Sequence, residues 1–367
     1  MQKIGIQGKM LKAIRSLYTD VRCAVKINNF TTDWFNVDIG LKQGCLLSTT
    51  AFNIYINDLS KQLEHLNKGI NVDGRIICHL FYADDLVLIA ESEEELQGLM
   101  DVLSGWCSRN RMSVNMDKTK VMHFRNNSVS RSDFVFKLND TVVDYVEQYK
   151  YLGLMLNETL DYSKPAKYVA QSATRALGLL ISKFKLLGGM PFDVYTELYD
   201  TMVWPVISYG AAIWGTREYS AVNAVHHRAC RFYLGVGKYT SNAAVTGDMG
   251  WLPPSIRQWK SVLGHWFRLN RMDNSRINNK VFKWSYRLRK QTKNWCCNIE
   301  NIVQKSLNRV LVIDNVYSKS ERYDTVHSLQ TCLFIKFKEK WQSCINSETG
   351  VSGRNSGNKL RQYIQIY

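Results

Sequence analysis

Two adjacent aspartates inside an apolar segment are the residues with the clearest potential for chemistry. Asp84 and Asp85 separate two apolar runs, 76–81 and 86–90, and follow Tyr82-Ala83. This pattern predicts a β-hairpin with an acidic tip, where two neighbouring carboxylates can lie near one opening. Mg²⁺ accepts carboxylate ligands while keeping water and phosphate oxygens, which suits phosphoryl transfer. The alternative is an exposed Asp-Asp turn without chemistry, because aspartate is a common turn residue.

The segments around this hairpin show the periodicities of a mixed fold. Ser92 and Glu95 form an S-x-x-E pair, which predicts a capped helix directly after the second strand. Further expected elements are a helix over 8–18, strands over 24–27 and 34–39, a loop over 40–48 leading into a helix, a strand over 121–124, and helices over 166–187 and 192–203. The alternation predicts an α+β fold in which helices pack on an antiparallel sheet, followed by a helical region.

The acidic hairpin resembles the Y-x-D-D catalytic hairpin of reverse transcriptases. Gly40–Ser48 resembles the template- and nucleotide-contacting loop of that family, Asn115–Lys120 the next palm motif, and Tyr149–Gly153 the primer grip. Trp204–Gly210, with Trp214, resembles the helical region after the palm in LINE elements of the jockey and related groups. The motifs occur in the family's order. Residues 1 to about 270 therefore resemble a LINE-type (non-LTR) retrotransposon reverse transcriptase.

The resemblance implies a role for each segment in RNA-directed DNA synthesis. Asp84 and Asp85 would be the catalytic ligands of Mg²⁺ in a two-metal site. Gln43, Gly44 and Lys118 would contact the template or the incoming nucleotide. The primer would contact Tyr82, Tyr151, Leu152 and Gly153. The implied partners are an RNA template, a DNA primer and deoxynucleoside triphosphates.

Two departures from the family pattern bear on activity. Thr49 follows Ser48 where the family usually has proline, and threonine can cap the following helix. A further catalytic aspartate, expected on an earlier strand, has no counterpart in residues 1–8. We therefore expect an N-terminally truncated fragment that is inactive alone. Two alternatives stay open: a non-catalytic nucleic-acid-binding remnant, and a translated relic of a decayed element.

The charge of the chain predicts a polyanionic partner. Its formal net charge is +16 and its pI about 9.4, which is typical of nucleic-acid-binding proteins. Within the basic C-terminal third, Lys280, Lys283, Arg287 and Lys290 have the spacing of one helix face and are predicted to bind phosphates. The interleaved Trp284, Tyr286 and Trp295 would stack on bases. The alternative is a solvated helix face whose aromatic side chains pack inward.

The predicted architecture has three parts: a truncated palm over 1–155, a helical thumb-like region over 156–270, and a basic region over 271–367. The nine cysteines form no paired C-x-x-C motif, and their odd number is typical of reduced thiols. This indicates an intracellular protein, in the nucleus or cytoplasm, that is neither secreted nor membrane-spanning. His226 and His227 are expected at the surface or partly buried, and the tryptophans from Trp204 to Trp266 are expected in packing. The oligomeric state stays open.

Overall fold

The computed structural model describes residues 1–37 and 40–348, including the side chains of all of these except Lys3 and residues 344–348. Helices alternate with small antiparallel sheets, which confirms the predicted α+β class. The chain divides into two compact units, one formed by residues 1–119 and 134–144, the other by residues 120–133 and those from 145 onward. The divisions predicted at 155/156 and 270/271 stay a prediction.

The first unit alternates helices with short hairpins. After a 3₁₀ turn at Gln2–Ile4, its elements are α1 (Gly8–Leu17), β1 (Arg22–Cys23), β2 (Lys26–Ile27), β3 (Phe30–Thr31), β4 (Phe35–Asn36), α2 (Leu46–His65), β5 (Ile70–Val72), β6 (Arg75–Ile77), β7 (His79–Tyr82), β8 (Asp85–Leu88), α3 (Glu93–Arg109), β9 (Lys137–Leu138) and β10 (Thr141–Val142). The described strands form two-stranded antiparallel ladders, so the single predicted sheet is wrong. Each strand has only two to four residues, and it pairs with a partner close to it in sequence.

Several strand predictions need correction. Asn28-Asn29 is a hairpin turn as expected, but it joins β2 to β3, while β1 pairs with β4 outside them. Residues 38 and 39, the end of the predicted strand 34–39, lie outside the described residues. The predicted strand 121–124 is reduced to a single bridge from Val121 to Tyr145. The hairpins β5–β6 and β9–β10 were missed, although Asp-Gly and Asn-Asp are ordinary turn signals.

The core of the first unit lies between α2 and α3. Leu59 and Leu63 of α2 pack with Leu99 and Trp106 of α3, and all four are almost fully buried. The predicted cap of α3 is confirmed, because the Glu95 N–H donates to the Ser92 hydroxyl at 3.3 Å. These two helices form the base on which the neighbouring hairpin β7–β8 rests.

The second unit begins with a hairpin and is otherwise helical. Its elements are β11 (Gln148–Tyr151), β12 (Leu154–Asn157), α4 (Ser163–Leu186), α5 (Phe192–Leu198), a π-helical turn (Tyr199–Val203), α6 (Trp204–Ser208), α7 (Ala211–Trp214), α8 (Ser220–Leu234), α9 (Asn242–Met249), α10 (Pro254–Asn270), α11 (Ile277–Arg287), a 3₁₀ turn (Leu288–Lys290), α12 (Trp295–Leu307) and α13 (Lys319–Glu348). The helices predicted over 166–187 and 192–203 are confirmed. The π-helical turn precedes Pro205, which has no N–H for the preceding helical turn.

Two hydrophobic clusters stabilise the second unit. One joins α4 to the helices up to α9, and the other joins α10 to α13. Trp214 and Trp251 lie in the first cluster, and Trp259 and Trp266 lie in the second, which confirms the packing role predicted for them. Trp204 is partly buried and carries the Arg257 guanidinium over its ring at 3.9 Å. In the part of the chain that the structure describes, no helix has the length and apolarity to cross a bilayer.

Candidate active site

The acidic hairpin forms as predicted, with both aspartates at its exposed tip. Strands β7 and β8 pair from His79–Leu88 at the base to Tyr82–Asp85 at the tip. Ala83 and Asp84 make the two-residue turn, and Tyr82, Asp84 and Asp85 are all exposed. Consequently the two carboxylates project from a defined backbone corner into solvent, where a metal ion or phosphate can reach them.

The base of this hairpin is fixed to the core of the first unit. Phe81 and Leu86 pack against the α2–α3 cluster, and the Ser60 hydroxyl lies 2.8 Å from Nε2 of His79. Burial lowers the pKa of His79, and the Glu64 carboxylate partly opposes this shift. A neutral imidazole therefore ties β7 to α2, while the tip remains accessible.

The turn of the acidic hairpin carries backbone strain. Five described hairpins have two-residue turns, and the first turn residue of each lies in the left-handed region with φ between 46° and 55°. Three of these positions hold Asn28, Asp73 and Asn139, residue types that tolerate this conformation. The other two hold Ala83 and Leu152, which do not. Those two turns belong to the acidic hairpin and to the hairpin that resembles the primer grip.

The loop with Gln43 and Gly44 is a tight turn that precedes α2. The Cys45 N–H donates to the Lys42 carbonyl at 3.3 Å, and Gly44 has a φ of 81°, which is the glycine position of a type II turn. The buried Ser48 hydroxyl donates to the same Lys42 carbonyl at 2.8 Å. This bond holds the loop against the helix, while Gln43 and Gly44 stay exposed.

The N-terminus of α2 differs from the sequence prediction. The helix begins at Leu46, and the Thr49 hydroxyl donates to the Leu46 carbonyl at 3.1 Å, so the capping role predicted for Thr49 is wrong. Ser48 instead contacts the Tyr18 hydroxyl at 3.0 Å, a contact that the sequence did not indicate. Hydrogen bonding, first of all to the Leu47 backbone, lowers the pKa of the Cys45 thiol.

Lys118 lies on an ordered turn of the first unit. The Asn115 side-chain oxygen accepts from the Lys118 N–H at 3.1 Å, and the Asn115 carbonyl accepts from the Thr119 hydroxyl at 2.8 Å. The Lys118 side chain is exposed. This arrangement orients the backbone at Lys118 and leaves its ammonium group reachable from solvent.

The residues predicted to contact the primer fall into both units. Tyr82 belongs to the first unit, whereas Tyr151, Leu152 and Gly153 form the tip of β11–β12 in the second unit. Leu152 and Gly153 both have positive φ, 46° and 82°. The Tyr209 hydroxyl donates to the Leu152 carbonyl, a contact between two predicted motifs that the sequence did not indicate.

Comparison with known sequences agrees with this arrangement of motifs. Residues 1–156 match the family described as reverse transcriptase (RNA-dependent DNA polymerase). These residues form a reverse transcriptase domain. The matched segment contains the loop at Gln43, the acidic hairpin, Lys118 and the turn at Leu152-Gly153.

Similar proteins come from transposons and other mobile elements. The chain is 24% identical over 245 residues to a probable RNA-directed DNA polymerase from transposon BS of Drosophila melanogaster. It is 22% identical over 230 residues to the RNA-directed DNA polymerase from mobile element jockey of Drosophila funebris. It is also 26% identical over 175 residues to the retrovirus-related Pol polyprotein from type-1 retrotransposable element R2 of Popillia japonica.

These alignments cover between about half and two thirds of the chain but a small part of each relative. They include 64%, 60% and 46% of this chain, and 27%, 24% and 29% of the respective relatives. The chain thus spans about a quarter of the length of each of these three relatives. The predicted relation to reverse transcriptases of non-LTR retrotransposons is confirmed.

The donor set of the reverse transcriptase domain suits Mg²⁺ in part. Asp84 and Asp85 supply carboxylate oxygens from consecutive residues at an exposed tip, the ligand type that Mg²⁺ takes while keeping waters and phosphates. Among the residues that the structure describes, no group of three or more His, Cys, Asp and Glu side chains is arranged to hold a metal. The part of the chain that the structure describes thus offers Mg²⁺ two adjacent carboxylates at this tip and no larger ligand cluster.

The basic residues after the reverse transcriptase domain are only partly exposed. Lys283 forms an ion pair with Asp314 and donates to Asn274 at 2.9 Å, whereas Arg287 and Lys290 are exposed. Tyr286 is buried and its hydroxyl donates to the Leu311 carbonyl at 2.7 Å, so the base-stacking role predicted for it is wrong. Its apolar ring is more favourable in the α10–α13 cluster than in water.

The position of His226 also differs from the prediction. Its side chain is completely buried, with Nδ1 at 3.1 Å from the Tyr199 hydroxyl and its ring 5.6 Å from that of Trp251. Burial lowers the pKa of His226 to about 3, with smaller contributions from His227 and Arg257. His226 is therefore a neutral core residue, because α8 packs this face against the π-helical turn and Trp251.

Proposed function

We propose that this chain is part of an RNA-directed DNA polymerase and that its reverse transcriptase domain supports templated DNA synthesis. The observation that carries the proposal is the location of backbone strain. Of the five two-residue hairpin turns, those at Ala83 and Leu152 carry residues poorly suited to positive φ. Strained backbone concentrates at functional sites, and these turns carry the acidic pair and the residues that resemble the primer grip.

In this proposal Asp84 and Asp85 hold Mg²⁺ at the hairpin tip. A bound ion would stabilise negative charge on the phosphate under attack by the primer 3′-hydroxyl. Tyr82, which is 63% exposed at the last strand pair, presents its ring beside the carboxylates for contact with the primer end. The partly buried base of the hairpin, packed against the α2–α3 cluster, keeps these side chains in a constant relative geometry.

The remaining predicted residues have supporting roles. The exposed Gln43-Gly44 turn would contact the template or nucleotide, and the Lys118 ammonium would meet the triphosphate. Leu152-Gly153 would contact the primer strand with Tyr151. Residues 1–155 would correspond to the palm and 156–270 to a thumb-like region. The substrates would be an RNA template, a DNA primer and deoxynucleoside triphosphates.

We also propose that the 367-residue chain alone does not extend primers. Two-metal phosphoryl transfer uses carboxylates that bracket both ions, and the described residues bring no third acidic group to Asp84 and Asp85. The test is RNA-templated primer extension with Mg²⁺ or Mn²⁺ by the wild type, by Asp84→Asn and by Asp101→Asn. The last variant changes an exposed acid of α3 that hydrogen-bonds Gln97, and it is the matched control.

The outcomes separate the two proposals. Binding of the primer–template without extension supports both of them. Extension by the wild type and by Asp101→Asn that disappears in Asp84→Asn contradicts inactivity but supports the polymerase assignment. If the chain neither binds nor extends a primer–template, the polymerase proposal is refuted.

The basic residues of α11 and the following turn form a second proposed contact with nucleic acid. Lys280, Arg287 and Lys290 are proposed to meet phosphates, whereas Lys283 is held by Asp314. Replacing those three by Gln should reduce the slope of log K against log salt by up to about 3, because each phosphate contact contributes about 0.9. Lys283→Gln is the matched control and should leave the slope unchanged. Equal slopes for the triple variant and the wild type would contradict this contact.

A further inference from the structure

One side chain from the helical region closes over the turn of β11–β12. The Tyr209 hydroxyl donates to the Leu152 carbonyl. A Cβ atom added to Gly153 would lie 3.0 Å from the Tyr209 ring, so this ring covers one side of the turn. The contact joins positions 57 residues apart in sequence, so it arises from tertiary packing and not from the hydrogen bonding of the turn itself.

Glycines on both sides make this contact possible. Gly153 has a φ of 82° and Gly210 a φ of 65°, both in the region that favours glycine. A Cβ atom at Gly210 would lie 3.0 Å from Cδ1 of Leu154. Each glycine therefore leaves room for a side chain of the other segment, Gly153 for the Tyr209 ring and Gly210 for Leu154.

Tyr209 is itself positioned by the core of the second unit. The Trp214 indole N–H donates to the Tyr209 carbonyl at 2.9 Å, and Trp214 is fully buried. The Tyr219 hydroxyl in turn donates to the Trp214 carbonyl at 3.1 Å. A chain of hydrogen bonds thus connects Tyr219, which directly precedes α8, through Trp214 and Tyr209 to the Leu152 carbonyl.

We propose that Tyr209 is a positioning residue that fixes the Leu152-Gly153 turn in the orientation that contacts the primer terminus. This inference rests on the proposed function of the turn. Leu152 at a φ of 46° gives the turn an unfavourable local conformation, so an external contact is needed to hold it. The Tyr209 hydrogen bond supplies that contact, and the ring leaves the opposite side of the turn for the primer.

The test compares three variants of the full chain. Tyr209→Phe keeps the ring over Gly153 and removes the hydroxyl, and Tyr209→Leu removes both. Tyr195→Phe is the matched control, because it loses a buried hydroxyl-to-carbonyl bond, Tyr195 to Ala229 at 3.1 Å, in the same unit. It lowers the stability of the unit without touching the turn.

The first measurement is amide hydrogen exchange of the peptide containing residues 151–154, without nucleic acid. Loss of one hydrogen bond should accelerate its exchange by about 2- to 10-fold in Tyr209→Phe, and by more in Tyr209→Leu. In Tyr195→Phe the amides of this peptide should exchange at the wild-type rate after correction for global stability. Unchanged exchange in both Tyr209 variants overturns the inference.

The second measurement uses a primer–template with 2-aminopurine at the primer 3′ end. When the wild type binds, contact with the primer terminus should change the fluorescence of this 2-aminopurine. In Tyr209→Phe that fluorescence change should be lost. The affinity for the duplex should change less than about twofold, because most affinity comes from phosphate contacts. Faster turn exchange with an unchanged terminal signal overturns the primer role. If the wild type itself does not bind the primer–template, the proposed function is refuted together with the inference. If it binds but Tyr209→Phe keeps the terminal signal, only the inference is refuted.

Discussion

The buried His226 makes the stability of the second unit depend on pH. Its folded-state pKa is about 3, while an unfolded histidine has a pKa near 6.5. Between these values the unfolded chain binds a proton that the folded chain does not, so stability falls as the pH decreases below 6.5. From this difference we expect a loss of about 2 kcal/mol at pH 5 relative to pH 7, and about 0.7 kcal/mol at pH 6 relative to pH 7.

The perturbation that tests this is His226→Gln, which keeps an acceptor for the Tyr199 hydroxyl but cannot be protonated. Urea unfolding at pH 7, 6 and 5 is followed by near-ultraviolet circular dichroism, which reports the packing of the aromatic rings, including that of Trp251 at 5.6 Å from the His226 ring. The difference in unfolding free energy between pH 7 and pH 5 should decrease by about 2 kcal/mol in the variant.

His227→Gln is the control for this experiment. His227 is only partly buried, and burial lowers its pKa as well, with Arg231 as a second cause. We expect a smaller change in pH dependence for this variant. If His226→Gln loses as much stability between pH 7 and pH 5 as the wild type, the buried neutral imidazole is not the cause.

Three other perturbations test the geometry of the hairpins and the second unit. Glu158 forms ion pairs with Arg125 at 2.8 Å and with Arg131 at 2.9 Å. Replacing it by Gln should lower the free energy of unfolding measured with urea by about 2–3 kcal/mol. Its pKa is lowered mainly by the hydrogen bond from Arg131, so wild type but not variant should lose this stability as the pH falls below about 4. Gly153→Ala should be more destabilising than Gly74→Ala by about 1 kcal/mol or more, because only the Cβ atom at position 153 would meet a side chain. Equal decreases of the melting temperature in the two variants would contradict the Tyr209 contact. Ala83→Gly should stabilise the first unit by up to about 1 kcal/mol in chemical unfolding, and a lower unfolding midpoint would show that its turn is unstrained.

Much of the candidate site could be predicted from local sequence. The acidic hairpin follows from two apolar runs around Tyr82–Asp85, and the start of α3 follows from Ser92 and Glu95. Both depend on hydrogen bonds between residues a few positions apart, so the sequence pattern contains the information that forms them. The order of motifs also predicted the reverse transcriptase relation that comparison confirms.

Other features could be recognised only in the folded structure. Among the described residues, short two-stranded ladders take the place of the predicted sheet. Each strand pairs with a partner close to it in sequence, and residue types alone do not reveal which strand edges meet. The strain at Ala83 and Leu152 became visible only through their backbone angles. An alanine or leucine in a sequence gives no sign of positive φ.

The sequence by itself thus determined the lineage, the acidic hairpin and the helices from α1 to α5, because local periodicity and capping specify them. The tertiary structure decided that His226 is buried and neutral, that Tyr286 packs inward, and that Tyr209 contacts Leu152. These contacts join residues far apart in the chain, and their stability comes from burial and distant hydrogen bonds rather than from neighbouring residue types.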